Sequence, residues 1–413
     1  MRMLMANWFL LIHWELILSK ELIITNIDFN GKTYAASALF EKPDDVERTS
    51  ASVSGKKAVE LRIHCLESKS IVGNIYVAEI EKMVKNIGAA FVRIGNDLPS
   101  CYLELKSGLQ QGKKLIVQVS KDAVKMKAPC VTTNLNFPGK YVVLTTENTI
   151  LGISAKIDKE TKEVLRKWLE PCMDGTFGIV VRTNAATADK AKILEEFAFL
   201  KSRLEHIRNI GEHRNSFTLL EEAMPFYIEA IRDVYTEDLV QIRTDIPEYY
   251  DKIKNHLENY QQSELDKLSF YDDKLVSLAS LYSLRALMED CLRERVWLKS
   301  GGFLVIQQTE AFVCIDVNSG KFVGKKKEQE TYRKINLEAA EEIARQLRLR
   351  NLSGVVLIDF INMAREEHRD ELIHVLQKHL RRDPVKAKVI DMTPLQIVEM
   401  TRQRVRKPIA EEL

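Results

Sequence analysis

The chain has 413 residues, which is too long for one ordinary hydrophobic core and predicts several domains. Its composition, 45% hydrophobic and 29% charged, is typical of a globular protein and excludes a low-complexity chain. The net charge of the whole chain is +2, but the charge is unevenly distributed. Residues 51–127 carry thirteen Lys and Arg against seven Asp and Glu, whereas residues 229–295 carry nine Lys and Arg against fifteen Asp and Glu. This asymmetry predicts one module that faces a polyanion, and the alternative is a random scatter of solvated charge.

The first eighteen residues are apolar, but Asn7, His13 and Glu15 interrupt them. The stretch is too short and too broken to span a bilayer. It also lacks the clean apolar core and the small-residue cleavage site of a signal peptide. We interpret residues 1–18 as an unassigned leader, such as one produced by an early start codon, with peripheral membrane contact as the alternative.

Short β-rich runs follow the leader. Residues 21–25 and 33–39 are predicted strands, and Asn30 with Gly31 between them predicts a hairpin turn. Five more short strands with Gly-containing turns predict a small barrel, for which an OB fold is the commonest solution. These five predicted strands are residues 59–64, 73–80, 89–94, 102–105 and 114–119.

Two aromatic residues of the predicted barrel, Phe91 and Tyr102, lie among basic residues. OB folds bind single strands by stacking bases on exposed aromatic side chains in a positive groove. Both residues are therefore candidates for nucleic-acid binding. Phe91, in the apolar run Ala-Ala-Phe-Val, can equally be a core residue.

The middle of the chain mixes strands and helices. Residues 141–144 and 178–181 are predicted strands, and residues 159–169 have helical periodicity. Residues 187–214 and 263–295 carry apolar residues at helical spacing with many Glu and Lys between them, and we predict scaffold helices there.

The last block alternates between strands and helices. This alternation predicts an α/β domain whose sheet is covered by helices, so the whole chain is predicted to be an α/β protein of several domains. The predicted order is strands at 302–307 and 311–317, a helix at 336–350, a strand at 354–360, a helix at 366–380, a strand at 387–391 and a final helix at 394–404.

Two carboxylates of this block, Asp316 and Asp359, each end an apolar strand. Ligand sites in open α/β sheets lie beyond the carboxyl ends of strands, so both side chains should emerge at one edge. Adjacent carboxylates repel, and Mg²⁺, which prefers oxygen ligands and phosphate, is the usual remedy. Asn318, two residues after Asp316, should point the same way and ligate or orient. The alternative is that each Asp caps a following turn.

Basic residues near these strands fit a phosphodiester substrate. Lys and Arg neutralise backbone phosphates and stabilise the charge of the transition state. A solvated helix face would also explain them. The residues are Lys321, Lys325, Lys326 and Lys327 after the first Asp, and Arg381, Arg382, Lys386 and Lys388 before the last predicted strand.

The six cysteines are dispersed, without a CxxC pair or a neighbouring His at zinc-ligand spacing. They predict buried free thiols in a reducing compartment, hence a cytoplasmic protein, and no zinc site in this chain.

Four ordered motifs make the chain resemble the ribonuclease E/G family over residues 19–413. They are TEAFVCIDVNS at 309–319, NLEAAEEIARQLRLR at 336–350, VLIDFI at 356–361 and EMTRQR at 399–404. The resemblance implies an endoribonuclease with four subdomains. These are an RNase H-like scaffold (19–58 and 223–297), an inserted OB-type barrel (59–127), a 5′-sensor (128–222) and a DNase I-like catalytic subdomain (298–413).

The resemblance also implies roles for single residues. Asp316 and Asp359 match the family's two Mg²⁺-binding aspartates, and Asn318 the asparagine that supports them. RNA-contacting positions of the barrel region are matched by Phe91, Tyr102 and Lys127, and the pocket for a 5′-monophosphate by Gly139, Val143, Arg182 and Thr183. The implied reaction is Mg²⁺-dependent hydrolysis of single-stranded RNA in processing or decay. It leaves 5′-phosphate and 3′-hydroxyl ends and favours 5′-monophosphorylated RNA.

The chain departs from the family pattern at several points. It stops before the CPxC motif that links two protomers through zinc, and it lacks the long C-terminal tail, so it resembles a short form in which a homo-oligomer would need another interface. Asn362 replaces a common Asp, Ala155 replaces a common Arg, and Gly320 replaces a usual Ala. Two alternatives stay open: a non-catalytic RNA-binding protein that keeps the fold, and a structure-selective nuclease that acts on DNA.

Overall fold

The structure is a computed structural model that describes residues 19–42, 55–68, 70–123, 128–234, 238–320 and 328–413. The chain forms two compact units. The first unit consists of Met1–Glu67 and Asp238–Leu413, and the second consists of Ser68–Glu237, so the second is inserted into the first in sequence. The leader at 1–18, Lys127, Lys321 and residues 325–327 lie outside the described residues.

A hairpin begins the first unit. Strands β1 (Ser19–Phe29) and β2 (Lys32–Lys42) pair along their whole lengths. Asn30 and Gly31 turn the chain with φ of 50° and 79°, as a two-residue hairpin turn requires. The predicted hairpin is therefore confirmed, and both of its strands are longer than the pattern indicated.

Strand β3 (Lys57–Cys65) continues this sheet and pairs antiparallel with β2. The prediction that residues 59–64 form the first barrel strand is therefore wrong. Val59 and Leu61 are buried, and Leu61 packs in the core of the first unit. A short apolar strand has the same pattern in either setting, because its pairing partner is not encoded locally.

Five strands of the inserted unit close into an OB-like barrel. The neighbours run β4-β5-β6-β8-β7, and a β4–β7 pairing completes the ring. The predicted barrel is confirmed, with β8 in the place given to residues 59–64. In chain order the strands are β4 (Ile75–Val84), β5 (Ala89–Arg93), β6 (Cys101–Glu104), β7 (Lys114–Lys121) and β8 (Cys130–Thr132).

A four-stranded sheet, three helices and one further strand form the rest of the described part of the inserted unit, and the strand order of this sheet is β11-β12-β10-β9. The chain order is β9 (Asn136–Pro138), β10 (Val142–Thr145), β11 (Leu151–Ile153), α1 (Lys159–Leu169), β12 (Gly178–Val181), α2 (Lys190–His213), β13 (Leu219–Glu221) and α3 (Phe226–Asp233). Helix α1 matches its predicted bounds. Asp158 caps it by accepting a hydrogen bond from the Thr161 backbone N–H at 2.8 Å.

The chain returns to the first unit at Asp238, later than the predicted boundary at 223. It adds two strands to the hairpin sheet, whose order is β15-β14-β1-β2-β3. The elements are β14 (Leu239–Thr244), α4 (Pro247–Tyr260), β15 (Leu268–Phe270), α5 (Leu278–Leu281), α6 (Leu284–Leu292) and β16 (Arg295–Trp297). Of the residues 263–295, where scaffold helices are predicted, 278–281 and 284–292 are helical and are separated by Ser283 at φ 50°, whereas 268–270 form β15, which pairs with β14.

A six-stranded sheet completes the first unit in the order β16-β17-β18-β19-β21-β20. Its elements are β17 (Phe303–Gln308), β18 (Phe312–Asn318), α7 (Glu328–Leu349), β19 (Gly354–Asp359), α8 (Glu366–Leu380), β20 (Ala387–Met392), β21 (Ile397–Arg402) and α9 (Ile409–Glu412). Helices α7 and α8 cover one face, where Ile315, Ile343 and Leu372 share a core. This agrees with the predicted helix-covered sheet.

Strand β21 replaces the predicted final helix at 394–404, which is wrong. Val398, Met400 and Arg402 are buried, whereas Ile397 and Thr401 are not. Burial therefore alternates with a period of two, as in a strand with one covered face.

The described residues contain no helix that could span a membrane and no disulfide bond. None of the described helices combines the length and the apolarity needed to cross a bilayer. All six cysteines are free thiols, and Cys101 and Cys291 are buried. Burial raises the pKa of both thiols to about 11, which leaves them protonated and unreactive near neutral pH.

Candidate active site

The two aspartates singled out by the sequence are direct neighbours in the structure. Asp316 of β18 pairs in register with Asp359 of β19, and the two strands are parallel. Adjacent strands lie about 4.8 Å apart, so both carboxylates occupy one short stretch of the sheet. Ile315 and Val317 are buried and face the helices, whereas Asp316 and Asp359 are exposed. The carboxylates therefore stand on the face of the sheet opposite α7 and α8.

Asn318 lies beside this pair and orients one member of it. Its Nδ2 donates a hydrogen bond to Oδ2 of Asp316 at 2.8 Å. The two residues are two positions apart on one strand and so project from the same face. The bond restricts the Asp316 side chain, since one carboxylate oxygen is held by the amide.

The donor set of this site fits a hard divalent cation. Within the described residues, no group of three or more His, Cys, Asp or Glu side chains could hold a metal ion. The aspartate pair thus supplies two carboxylates, with an amide next to them. Mg²⁺ binds proteins through one or two carboxylates and keeps several waters, whereas Zn²⁺ requires three or four N, S or O ligands. The arrangement fits Mg²⁺.

A buried asparagine on α7 holds the backbone just beyond Asp359, and the sequence reasoning missed it. Asn336 is fully buried. Its Nδ2 donates to the Ile361 carbonyl at 2.7 Å, and its Oδ1 accepts from the Ile361 N–H at 3.1 Å. The signal in the sequence for such a structural role is a polar residue on the apolar face of a predicted helix. Asn336 therefore fixes the chain two residues after the second carboxylate.

The turn that follows Asn318 depends on glycine. Gly320 has φ of +66°, and a Cβ there would lie 2.4 Å from the Gly301 carbonyl oxygen. A Cβ on Gly302 would lie 2.8 Å from the Asn318 carbonyl oxygen. Glycine at position 320, where the family usually has alanine, thus allows the backbone at Gly320 to lie close to the backbone at Gly301 beside the site.

The structure does not bring the predicted lysines Lys386 and Lys388 next to the aspartates. Both are exposed, and Lys388 lies on β20 at the edge of the sheet. Lys388 pairs with Thr401, which pairs with Val355. Val355 is four residues before Asp359 on β19, a separation of about 13 Å along a strand. A contact of these lysines with RNA would therefore be remote from the carboxylates.

The barrel places its two predicted aromatic residues side by side. Phe91 of β5 pairs in register with Tyr102 of β6. Both are partly exposed, while their neighbours Val92 and Leu103 are buried in the barrel interior. Phe91 therefore faces outward and is not a core residue. Lys82 of β4 pairs with Phe91 on the other side, which adds a cation to the row.

The four residues of the predicted 5′-phosphate pocket gather around the four-stranded sheet of the inserted unit. Arg182 donates to the Gly139 carbonyl at 2.7 Å and forms an ion pair with Asp233 at 2.9 Å. Thr183 and Ser154 share a hydrogen bond of 3.1 Å. Val143 lies on β10 in register with Val180 of β12. The guanidinium is thus held by Gly139 and Asp233 and uses two of its five N–H donors in these bonds.

A half-buried carboxylate that the sequence reasoning missed shapes this region. Glu196 of α2 accepts hydrogen bonds from the backbone N–H groups of Lys140, Tyr141 and Val142 at 2.7, 2.7 and 2.9 Å. Burial raises the pKa of Glu196, although these bonds and Arg182 oppose the shift. A Cβ on Gly139 would lie 2.4 Å from a Glu196 oxygen. The turn after β9 is therefore built around this carboxylate.

Comparisons with known proteins agree on one family. A model of the ribonuclease E/G family matches residues 136–405. Ribonuclease G of Escherichia coli K12 is 31% identical over 386 residues, which covers 88% of this chain and 79% of that protein. Ribonuclease G of Haemophilus influenzae is 32% identical, with 86% and 77% covered. Ribonuclease E of Synechocystis sp. PCC 6803 is 32% identical, with 81% of this chain and 52% of that protein covered.

Proposed function

The chain belongs to the ribonuclease E/G family, and on that premise we propose that it is an endoribonuclease that hydrolyses single-stranded RNA in RNA processing or decay. The observation that carries the proposal is the in-register pairing of Asp316 with Asp359. Two exposed carboxylates side by side repel each other, and a hard cation between them relieves that repulsion. Mg²⁺ is the proposed cation.

The proposed mechanism assigns a task to each residue of the site. Asp316 and Asp359 would hold Mg²⁺, and Asn318 would keep the Asp316 carboxylate in its binding orientation. The bound cation would supply a water of lowered pKa and neutralise charge on the phosphate. Asn336 fixes the backbone beyond Asp359 and so limits the movement of its carboxylate. Hydrolysis would break the bond from phosphorus to the 3′-oxygen, which leaves 5′-phosphate and 3′-hydroxyl ends.

The barrel is the proposed RNA-binding surface of the inserted unit. Phe91 and Tyr102 offer two neighbouring, outward-facing rings on which bases can stack. Lys82 in the same row can neutralise a backbone phosphate. Lys127 is also proposed here, from the family match alone.

A preference for 5′-monophosphorylated RNA is proposed for the pocket of Gly139, Val143, Arg182 and Thr183. The support is that Arg182 is held in place by Asp233 and Gly139, so it is preorganised to donate further N–H groups to a terminal phosphate. Asp233 also competes with an incoming phosphate for the same guanidinium. The preference should therefore be modest.

The subdomain names follow the family. We propose an RNase H-like scaffold for the five-stranded sheet, a 5′-sensor for the four-stranded sheet and a DNase I-like fold for the six-stranded sheet. A cytoplasmic location is proposed as well, because all six cysteines are free thiols, as in proteins of reducing compartments.

The test is cleavage of a fluorescent, 5′-monophosphorylated, A/U-rich RNA with Mg²⁺. Asp316→Asn and Asp359→Asn should each lower kcat about a thousandfold, because each removes a ligand of the cation. Asp391→Asn is the matched control, since Asp391 is an exposed carboxylate on β20 of the same sheet. It should cleave like the wild type.

Two further substrates separate the alternatives. A matched DNA cut as fast as the RNA would contradict the ribonuclease assignment. A 5′-hydroxyl RNA cut as fast as the 5′-monophosphorylated RNA would remove the sensor role of Arg182. RNA that is bound but never cut by the wild type would leave a non-catalytic RNA-binding protein.

A further inference from the structure

A cluster of one exposed aromatic ring, one half-buried aromatic ring and one exposed guanidinium lies at the edge of the six-stranded sheet. The rings of Trp297 on β16 and Phe303 on β17 are 5.3 Å apart, centroid to centroid. The Arg295 guanidinium lies 4.5 Å from the Phe303 ring and 5.8 Å from the Trp297 ring. Trp297 is 64% exposed. A large aromatic side chain this exposed on a strand is available to bind a ligand or a partner molecule.

Strand register places this cluster on the same face as the candidate site. Trp297 pairs with Phe303, and Phe303 pairs with Asn318. In the adjacent row, Arg295 pairs with Val305, and Val305 pairs with Asp316. Paired residues of antiparallel strands project from one face, and two strand spacings amount to about 10 Å. Phe303 is therefore about 5 Å and Trp297 about 10 Å from Asn318 across the sheet, and Asp316 lies in the adjacent row.

We infer that Arg295, Trp297 and Phe303 form a stacking platform for the base of a nucleotide that flanks the scissile phosphate. The inference rests on the proposed function and adds a positioning site to it. Trp297 supplies the exposed ring, Phe303 supports it from the next strand, and Arg295 carries the charge that faces a phosphate or a base. Stacking of this kind tolerates any base.

The charges around the platform favour RNA over an apolar partner. The Arg295 guanidinium lies 4.5 Å from the Phe303 ring and 5.8 Å from the Trp297 ring, so a positive charge sits at the rings themselves. A polyanion can bind that charge, whereas an apolar partner would have to bury it.

The same face is poorly suited to a second copy of the chain. Its other exposed aromatic residue, Phe312, is 45% exposed and lies four residues before Asp316 on β18. Asp316 lies between these two side chains, four residues after Phe312 on β18 and two strands away from β16. An apolar interface that covered both Phe312 and Trp297 would bury the Asp316 carboxylate, and burial of an unpaired charge is strongly unfavourable.

The first experiment measures binding without cleavage. The full chain is titrated with a single-stranded A/U-rich oligoribonucleotide in excess EDTA, and tryptophan fluorescence and anisotropy of the labelled RNA are followed. Stacking on Trp297 should quench part of the fluorescence of the wild type. Trp297→Ala should bind about tenfold more weakly, whereas Trp297→Phe should bind within about threefold of the wild type but lose that quench. Phe312→Ala is the matched control on the same face and should behave like the wild type.

The second experiment locates the stacked base. RNAs with a single abasic nucleotide at successive positions are cleaved with Mg²⁺. One abasic position beside the cleavage site should lower kcat/KM about tenfold for the wild type and leave Trp297→Ala unaffected, because the partner of that base is already absent.

Each outcome bears on one proposal. Undiminished binding and quenching in Trp297→Ala, or an equal loss in Phe312→Ala, overturns the platform. A dimer that Trp297→Ala dissociates without any change in RNA affinity overturns it in favour of a second copy. Quenching by RNA that the wild type never cleaves supports the platform and instead contradicts the endoribonuclease proposal.

Discussion

Asn318 contributes to the candidate site through one hydrogen bond, which orients the Asp316 carboxylate. Its amide holds one oxygen of the Asp316 carboxylate, and among the described residues that carboxylate and Asp359 are the two proposed anionic ligands of the site. A carboxylate free to rotate would bind a cation less well, because part of the binding free energy would be used to order it. Orientation is therefore part of the function of this site.

The first prediction concerns Asn318→Ala. Loss of the orienting amide should lower cleavage activity about 10- to 100-fold and raise the Mg²⁺ concentration for half-maximal rate, with RNA affinity unchanged. Mg²⁺ titrations of single-turnover cleavage, beside anisotropy measurements of RNA binding, check this. Gln307→Ala is the control, since Gln307 is an exposed amide on neighbouring β17. An unaltered Mg²⁺ dependence in Asn318→Ala would contradict the orienting role.

At the scale of elements, a buried ion pair anchors the end of β21, the strand that pairs with β19. Arg402 and Asp383 are almost completely buried and are bonded at 2.7 and 3.2 Å. The guanidinium also donates to Oδ1 of Asn351 at 2.9 Å and to the Leu352 carbonyl at 3.0 Å. Strand β21 pairs with β19, so this network holds the strand that borders Asp359.

The second prediction concerns this network. Asp383→Ala should lower the free energy of unfolding by about 3–5 kcal/mol, because the Arg402 charge is left buried and unpaired. The double variant Asp383→Leu with Arg402→Met should recover most of that loss, since no charge remains buried. Urea unfolding followed by circular dichroism checks both. Equal destabilisation of the single and the double variant would show that packing, and not charge, is the main contribution.

The ion pair between Glu342 of α7 and Lys57 of β3 predicts how the stability of the fold depends on pH. Burial alone would raise the pKa of Glu342, but its bonds to Arg345 and the charge of Lys57 lower that pKa to about 2. A carboxyl group whose pKa is lowered in the folded state stabilises the fold at pH values above the ordinary pKa of 4.5. This stabilisation is lost as the pH falls from 4.5 towards 2.

The stability difference between wild type and Glu342→Gln should therefore be largest near neutral pH and shrink over this window. Free energies of unfolding of the wild type and of Glu342→Gln, measured across this pH window, test the prediction. Glu341→Gln, on the exposed side of the same helix, should show no such trend.

The sequence predicted the elements that carry their own periodicity and missed the pairings between distant segments. Helix α1 and the two aspartate strands were predictable from apolar spacing and strand-end carboxylates. Strand β21 was not, because the spacing of Ile397, Val398 and Met400 after Pro394 fits a helix as well as a strand. The platform of Trp297 and Phe303 depends on the pairing of β16 with β17, which no local pattern reports.

At the scale of the whole molecule, the candidate chemistry and the candidate RNA-binding barrel belong to different compact units. Asp316, Asn318 and Asp359 lie in the unit formed by the two ends of the described chain, whereas Phe91 and Tyr102 lie in the inserted one. The inserted unit has its own cores, one inside the barrel and one beneath the four-stranded sheet. A segment with its own buried core can fold alone.

The last prediction follows from that division. Residues 68–237, produced alone, should unfold cooperatively on heating and bind single-stranded RNA without cutting it, because they lack the aspartates. Affinity should fall steeply with salt, and Phe91→Ala should weaken binding about tenfold, since one stacked base is lost. Circular dichroism melts and anisotropy titrations at several salt concentrations test this. Ile87→Ala, which changes an exposed apolar residue near β5 that is not aromatic, is the control. A fragment that folds but binds no RNA would contradict the assignment of the barrel, whereas a fragment that cuts RNA would contradict the assignment of the catalytic aspartates.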